Sequence, residues 1–300
     1  MTHPSLSANW RLRDAVPARR RSAAEKEAGF LSLGASLLRL LQRRKALPLL
    51  NTAFYYGSPV PVAALSRYPR VVVEADAVTD LVGLTRHGSD VFAYVSVGEA
   101  EGWRASTSAL PQALFSGANA AWQSRIANLT HPDWQRYLLE DRMAGLWADG
   151  YRGFFLDTLD SYQMAVTDPV ARQAQSMALV NLIRAMHKRF DGVKLLLNRG
   201  FDVLPELASI VSGVVAESLF QGWNAQTREY VSVSPDDRQW LLARLNDAHQ
   251  RHGLPVTVID YVAPGDVALA RNTAAQIGAL GFSAWVSNSN LDTIPDGAPL

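Results

Sequence analysis

The chain has 300 residues, of which 48% are hydrophobic and 19% charged, a composition typical of a packed globular protein with one large domain or two small ones. It has no cysteine, which excludes disulfides, thiolate metal sites and a cysteine nucleophile, and no apolar run approaches the ~18 residues that a membrane-spanning helix needs. The net charge of +1 is unevenly distributed: residues 1–48 carry ten basic and three acidic residues (+7), and the remainder carries 19 basic and 25 acidic residues (−6).

The basic amino-terminal stretch, residues 1–48, is predicted to be an extension, partly disordered or helical. Residues 1–28 lack hydrophobic periodicity and contain an arginine run, which is typical of a loosely attached segment. The apolar stretch at residues 30–41 has its basic residues closely behind it, so an amphipathic helix packed on the domain is favoured over a secretory signal. The acidic remainder suits a neutral or cationic ligand better than nucleic acid.

From about Pro48 onward, short apolar runs alternate with amphipathic segments. The helical segments are predicted near residues 130–150, from Asp168, over 234–253 and over 265–281. The apolar runs predict eight strands: Thr52–Tyr56, Val71–Glu74, Val91–Glu99, Gly153–Asp157, Lys194–Asn198, Gly213–Glu217, Val256–Asp260 and Ser283–Ser287. Eight alternating units predict a single-domain α/β fold, a (β/α)₈ TIM barrel over residues 49–292 with a tail at 293–300; a doubly wound sheet is the alternative.

Nearly every predicted strand begins apolar and ends in a polar or acidic residue. The side chains at or just beyond these ends are Tyr56, Glu74, Asp76, Glu99, Asp157, Asp160, Asn198, Arg199, Glu217, Asp260, Tyr261, Ser287 and Asn288. Any one of them could simply cap a helix. Because the active site of a barrel is built where its strands finish, the whole set indicates a functional face.

Clustered carboxylates suit two kinds of chemistry. Two carboxylates that flank a glycosidic bond serve as acid/base and nucleophile, or as acid and base. A metal-dependent barrel would use three carboxylates with a Lys or His base. None of the four lysines follows a strand end, which disfavours the second kind and also Schiff-base chemistry. No metalloprotease, serine-hydrolase or nucleotide-binding motif is present, and no metal or other cofactor is expected.

Aromatic residues accompany the strand ends. Flat rings at a barrel mouth stack on sugar faces or simply fill the mouth. The residues in question are Tyr55, Tyr56, Trp103, Trp122, Trp223, Tyr261 and Trp285. The segment between Glu99 and Thr130 is long for a βα connection, and connections of that length are commonly lids or binding loops. Since this segment carries Trp103 and Trp122, it is predicted to form a wall of the substrate groove.

Three stretches resemble glycoside hydrolase family 114 and, more closely, the related family 166. They are Ala93–Glu99, Gly153–Asp160 and Val214–Ser218, and the similarity runs from about Asn51 to Asn290. The resemblance implies a metal-free (β/α)₈ endo-hydrolase of α-1,4-linked galactosamine or N-acetylgalactosamine exopolysaccharide. It also implies a secreted or periplasmic location. Related proteins carry a secretion signal and a deacetylase domain that this chain does not show, so it is expected to be a fragment or a shorter paralogue that acts beside other polysaccharide-processing domains or proteins.

Carried over by motif, the resemblance implies Asp157 as the nucleophile and Glu217 as the general acid/base. The remaining candidates are expected to contact substrate: Tyr56, Glu74, Asp76, Glu99, Trp103, Asp160, Asn198, Arg199, Ser218, Trp223, Asp260, Tyr261 and Trp285. Two alternatives stay open. One is a catalytically silent carbohydrate-binding barrel, which would bind polymer without releasing reducing ends. The other is a metal-dependent lyase or isomerase barrel, which a chelator would inactivate.

Overall fold

The computed structural model describes residues 50–102 and 104–295, and these contain an eight-stranded parallel barrel. In chain order the strands are β1 (Thr52–Tyr55), β2 (Arg70–Val73), β3 (Asp90–Ser96), β4 (Glu99–Glu101), β5 (Phe115–Asn119), β6 (Ser124–Ala127), β7 (Gly153–Asp157), β8 (Lys194–Asn198), β9 (Gly213–Glu217), β10 (Gln221–Asn224), β11 (Glu229–Ser232), β12 (Val256–Tyr261) and β13 (Ser283–Ser287). The barrel follows the order β1-β2-β3-β7-β8-β9-β12-β13, and β13 contacts β1, so the sheet is nearly closed. The predicted (β/α)₈ fold is confirmed.

Helices cover the outside of the barrel. They are α1 (Val62–Leu65), α2 (Leu81–Thr85), α3 (Ala105–Ser108), α4 (Pro132–Arg136), α5 (Ala144–Ala148), α6 (Tyr162–Ala165), α7 (Pro169–Arg189), α8 (Leu204–Leu207), α9 (Pro235–Asn246) and α10 (Val267–Ala279). A π-helical stretch, Tyr137–Met143, joins α4 to α5, and a second one, Asp247–Arg251, continues α9. The longer helices begin where the sequence predicts, because Asp168 and Ser234 accept a backbone hydrogen bond at their first turns.

The barrel interior is filled by side chains that the parallel register places side by side. Phe54 lies level with Val72, Phe92 and Gly153 across four neighbouring strands. A Cβ atom at Gly153 would lie 2.6 Å from the Phe92 ring, so glycine is needed where this ring crosses the barrel. Strands that are buried on both faces read as continuous apolar runs, which is why they were visible in the sequence.

Two antiparallel elements were not predicted. The segment after β3 forms a three-stranded sheet in the order β4-β6-β5, and the hairpin β10–β11 follows β9. The predicted strand Val91–Glu99 ends at Ser96, because the chain passes so close to the neighbouring loop that a Cβ at Gly98 would lie 2.0 Å from the Thr158 carbonyl oxygen. Glu99 therefore starts a separate strand.

Some predictions fall outside the described residues. They concern the basic extension at residues 1–48, residues 296–300 of the tail, and Trp103. Among the helices that the structure does describe, none has the length and apolar character to cross a membrane.

Candidate active site

Two buried carboxylates lie at the carboxyl ends of strands that are separated by a single strand. Asp157 ends β7 and Glu217 ends β9, and Asn198 ends β8 between them. The Asn198 amide nitrogen donates to both: Nδ2 lies 2.7 Å from Asp157 Oδ1 and 2.9 Å from Glu217 Oε1. The Asn198 amide is therefore oriented with Nδ2 toward both carboxylates. One side chain therefore joins the two carboxylates.

Tyrosine hydroxyls bind the other oxygen of each carboxylate. Tyr94 on β3 donates to Asp157 Oδ2 at 2.9 Å, and Tyr261 on β12 donates to Glu217 Oε2. Only 3% of Asp157 and 6% of Glu217 is exposed to solvent. Each of the four carboxylate oxygens thus has a donor that holds it in one orientation.

The Asn198 bridge limits the distance between the two carboxylates. The facing oxygens, Asp157 Oδ1 and Glu217 Oε1, cannot be further apart than the two hydrogen bonds laid end to end, about 5.6 Å. Glycosidases that form a covalent intermediate hold their carboxyl groups ~5–5.5 Å apart, and those that place a water between them need ~6.5–9.5 Å. The arrangement fits the shorter separation.

Burial and mutual repulsion perturb both acids. Burial, followed by the nearby charge of Glu217, raises the pKa of Asp157 to about 7, against the opposing hydrogen bonds from Asn198, Thr158 and Tyr94. Burial also raises the pKa of Glu217, and the hydrogen bonds from Tyr261 and Asn198 oppose this shift. Two interacting carboxylates titrate as a pair, so the two raised pKa values allow one proton to be shared between Asp157 and Glu217.

Glu99 lies apart from this pair and anchors the three-stranded sheet. Its carboxylate accepts hydrogen bonds from Asn119 at 3.1 Å, from Ser161 at 2.6 Å and from Ser124. Only 4% of Glu99 is exposed. Because these contacts occupy both oxygens, we expect Glu99 to be structural, in place of the predicted substrate contact.

Asp260 binds the backbone just after Glu217. The carboxylate is fully buried and accepts from three successive amides, those of Leu219 (2.6 Å), Phe220 (2.7 Å) and Gln221 (2.8 Å). Burial raises the pKa of Asp260 to about 7, and the three amide donors oppose the shift. Asp260 thus ties β12 to the root of the β10–β11 hairpin, and its contacts favour a structural role over the predicted substrate contact.

Replacing Asp260 with Ala should destabilise the fold by about 3 kcal/mol or more, because buried donors that lose their acceptor carry their full desolvation penalty. The matched control is Asp168→Ala, since Asp168 accepts from one exposed amide, that of Ala171, and should lose only about 1 kcal/mol. Urea denaturation at constant pH measures both free energies of unfolding. Equal losses for the two variants would contradict the role assigned to Asp260.

Glu74 and Asp76 surround Arg104. The guanidinium lies 2.7 Å from Glu74 and 3.3 Å from Asp76, and Arg104 itself is 7% exposed. Glu101 pairs with the same guanidinium through Nε. This cluster lies next to Tyr94: the Arg104 guanidinium carbon is 5.6 Å from the centroid of the Tyr94 ring. The sequence pattern did not predict Glu101 or Arg104 as site residues.

The remaining candidates lie at varied distances from the carboxylate pair. The Tyr56 ring packs edge-on against Tyr94, with 5.5 Å between the ring centroids, and the charges of Asp157 and Glu217 contribute to the raised pKa of Tyr56. Arg199 lowers the pKa of both Asp160 and Glu217, which places its charge near both. Ser218 follows Glu217, and its buried Oγ has no hydrogen-bond partner within the described residues.

The described tryptophans among the candidates have different surroundings. Trp223 packs on Tyr230 inside the β10–β11 hairpin, with 4.8 Å between the ring centroids. Trp122 is half-buried in the turn between β5 and β6. Trp285 is 1% exposed and packs against Tyr68, so we expect it to belong to the core rather than to contact sugar.

Tyr94 is the site residue that the strand-end pattern missed. It lies two residues before the end of β3, and its side chain reaches Asp157 from there. Its position two residues before Ser96, which pairs with Asp157, places it on the inward face of the strand. The alternation of inward-facing and outward-facing side chains along β3 could therefore have identified Tyr94 from the sequence. Over residues 50–102 and 104–295, no group of three potential metal ligands comes together.

Comparisons with known proteins give a family and a fold. The profile of glycoside hydrolase family GH114 matches residues 52–297. The glycoside hydrolase domain of PelA from Pseudomonas aeruginosa is 39% identical in sequence, with a TM-score of 0.76, and the match covers 82% of this chain and 97% of that one. Ega3 from Aspergillus fumigatus, solved in complex with galactosamine, shares the fold at 18% identity and a TM-score of 0.58, covering 82% and 95%. No curated protein sequence matched.

Proposed function

The chain belongs to glycoside hydrolase family GH114, and from this premise we propose that it hydrolyses α-1,4-linked galactosamine and N-acetylgalactosamine polysaccharide. The observation that carries the proposal is the pair of buried carboxylates, Asp157 and Glu217, joined by the Asn198 amide. Glycosidic bonds are cleaved by two such groups when one is ionised and the other protonated. The shared proton of this pair supplies both states at once.

The proposed mechanism is a double displacement. One oxygen of Asp157 attacks the anomeric carbon while Glu217 protonates the departing glycosidic oxygen, which gives a glycosyl-enzyme ester. Water then attacks the same carbon, Glu217 takes its proton, and the Asp157 carboxylate is released. The separation of at most about 5.6 Å between the facing oxygens supports this sequence.

Charge supports an amino-sugar polymer as the substrate. Residues 49–300 carry a net charge of −6, which would attract a partly deacetylated, cationic chain. Charge alone does not distinguish galactosamine from glucosamine. The family resemblance supports galactosamine as the sugar and α-1,4 as the linkage.

A reducing-end assay on partially deacetylated α-1,4-polygalactosamine tests both the sugar and the linkage. Chitosan is the matched control because it is also a cationic amino-sugar polymer with a different linkage and sugar, and a neutral glycan controls for charge. We expect new reducing ends from the galactosamine polymer only. Binding without reducing ends would indicate a silent carbohydrate-binding barrel, and cleavage of chitosan at the same rate would contradict the proposed specificity.

The proposal predicts a bell-shaped pH dependence. As the pH rises above about 7, the pair loses its remaining proton and Glu217 can no longer protonate the leaving oxygen. At low pH, Asp157 takes a proton and loses its nucleophilicity. We therefore expect kcat/KM to be highest at mildly acidic pH and to fall above about pH 7. An activity that keeps rising to about pH 9 would contradict the assigned proton-sharing pair.

A further inference from the structure

The Tyr94 hydroxyl lies within hydrogen-bond distance of two carboxylates. It is 2.9 Å from Asp157 Oδ2 and 3.3 Å from Glu101 Oε1. A phenol has one proton, so Tyr94 can donate to only one of these acceptors at a time. Tyr94 is 2% exposed, so both of these carboxylate contacts are made inside the protein. Rotation of the hydroxyl, without any movement of heavy atoms, would switch the acceptor.

Glu101 supplies the second acceptor for the Tyr94 hydroxyl. Its Oε2 pairs with Arg104 Nε, and Oε1 is the oxygen that faces Tyr94. The Arg104 guanidinium is also held by Glu74 and Asp76, and Arg142 lies 3.5 Å from Asp76. Glu101 is thus an acceptor that no step of the proposed reaction consumes, whereas Asp157 becomes an ester in the proposed intermediate.

Tyr94 itself stays protonated. Burial, and then the charges of Asp157 and Glu101, raise its pKa well above the usual phenol value, with a smaller contribution from Tyr56 and an opposing one from Arg104. The phenol is therefore a permanent donor. Besides Tyr94, the groups near Asp157 include Glu217, the Asn198 amide, the Thr158 backbone and the phenols of Tyr56 and Tyr261.

We propose that Tyr94 is a positioning residue that directs its proton to Asp157 while Asp157 is charged and to Glu101 when Asp157 is not. This inference rests on the proposed function for its place in the reaction. When the bond from Asp157 to the anomeric carbon forms and the bond to the leaving oxygen breaks, the charge on Asp157 disappears and the Tyr94 proton turns to Glu101. When water releases the sugar, the charge returns and the proton turns back, which stabilises the departing carboxylate.

Two substitutions test this switch through the pKa of Asp157, measured by ¹³C NMR of aspartate-labelled protein. This readout needs no turnover, and the Asp157 signal is assigned by its loss in Asp157→Asn. Tyr94→Phe removes the donor and should raise the pKa of Asp157 by about one pH unit. Glu101→Gln removes the competing acceptor charge and should lower it. Arg104 retains Glu74 and Asp76 in the second variant, so the fold should persist.

The double variant shows whether Glu101 acts through Tyr94. If it does, adding Glu101→Gln to Tyr94→Phe should change the pKa of Asp157 little further. The effects of the two substitutions on this pKa are then strongly non-additive. The matched control is Tyr68→Phe, which removes a phenol hydroxyl just before β2, and it should leave the pKa of Asp157 unchanged. Shifts in the same direction for the two single variants, or full additivity in the double variant, would overturn the proposal.

Kinetics separates this inference from the proposed function. With an aryl α-galactosaminide oligosaccharide, Tyr94→Phe should leave the initial burst within about threefold of the parent and slow steady-state turnover about tenfold or more, because the departing Asp157 loses a donor. A parent enzyme that releases no aryl group would refute the proposed function, while the NMR titration would still decide whether Tyr94 switches its proton. An equal loss in both kinetic phases would contradict the switch.

Discussion

Replacing Asp157 with Asn, or Glu217 with Gln, is expected to reduce hydrolysis of α-1,4-polygalactosamine by at least about a thousandfold while the protein remains folded. The first change removes the nucleophile and the second removes the proton donor. Both keep the side-chain volume, so the barrel packing is retained. Reducing-end assays measure the loss and circular dichroism checks the fold. The matched control is Asp168→Asn, at the exposed amino terminus of α7, which should retain full activity.

Azide rescue then assigns the two roles. In Asp157→Ala, azide can enter the space of the missing carboxylate and attack an aryl α-galactosaminide directly, which gives a β-glycosyl azide. In Glu217→Ala the covalent intermediate still forms from an activated substrate, and azide gives the α-glycosyl azide. The opposite pattern would exchange the two roles. Near-normal activity of Asp157→Asn would contradict the mechanism as a whole.

Replacing Asn198 with Ala should lower kcat by about a hundredfold. The Asn198 amide is the donor shared by the two carboxylates, at 2.7 Å from Asp157 and 2.9 Å from Glu217. Loss of this donor increases the repulsion between the two carboxylates and allows them to change their relative orientation. Preorganised donors of this kind raise kcat by factors of about 10²–10³. Steady-state kinetics on the galactosamine polymer measures the effect.

Asn198→Asp is the more severe test, because it keeps the volume and replaces the donor with a third carboxylate. We expect a larger loss than in Asn198→Ala, partly recovered at lower pH where the added group is protonated. Asn272→Ala, on the exposed face of α10, is the control and should be silent. If Asn198→Ala retains full activity, the bridge has no catalytic importance.

The sequence predicts the barrel because its strands read as apolar runs and nearly all of the predicted runs end at a polar residue. It also predicts Asp157, Asn198, Glu217 and Tyr261, because parallel strands place their carboxyl ends at one face. The separation of the carboxylates could not be predicted in this way. It depends on the register of three neighbouring strands, which no local pattern encodes.

The departures from the predicted site have specific physical causes. Asp260 and Tyr261 are consecutive, and alternation along a strand directs their side chains to opposite faces, so Tyr261 donates to Glu217 while Asp260 binds the backbone beyond it. Glu99 follows Gly98, where the chain leaves the barrel and starts an antiparallel sheet. Tyr94 and Arg104 belong to contacts between distant segments. For such residues, burial and charge become interpretable only after the fold is known.

Two carboxylates joined by Asn198 are proposed to cleave the polymer through a covalent intermediate. The most direct measurement is ¹H NMR of the new reducing ends in the first minutes of hydrolysis of α-1,4-polygalactosamine, before mutarotation. A double displacement retains configuration, so the α-anomer signal is predicted to appear first and the β-anomer only as mutarotation proceeds. Initial appearance of the β-anomer would contradict the double displacement, and the absence of any new anomeric signal would contradict hydrolysis itself.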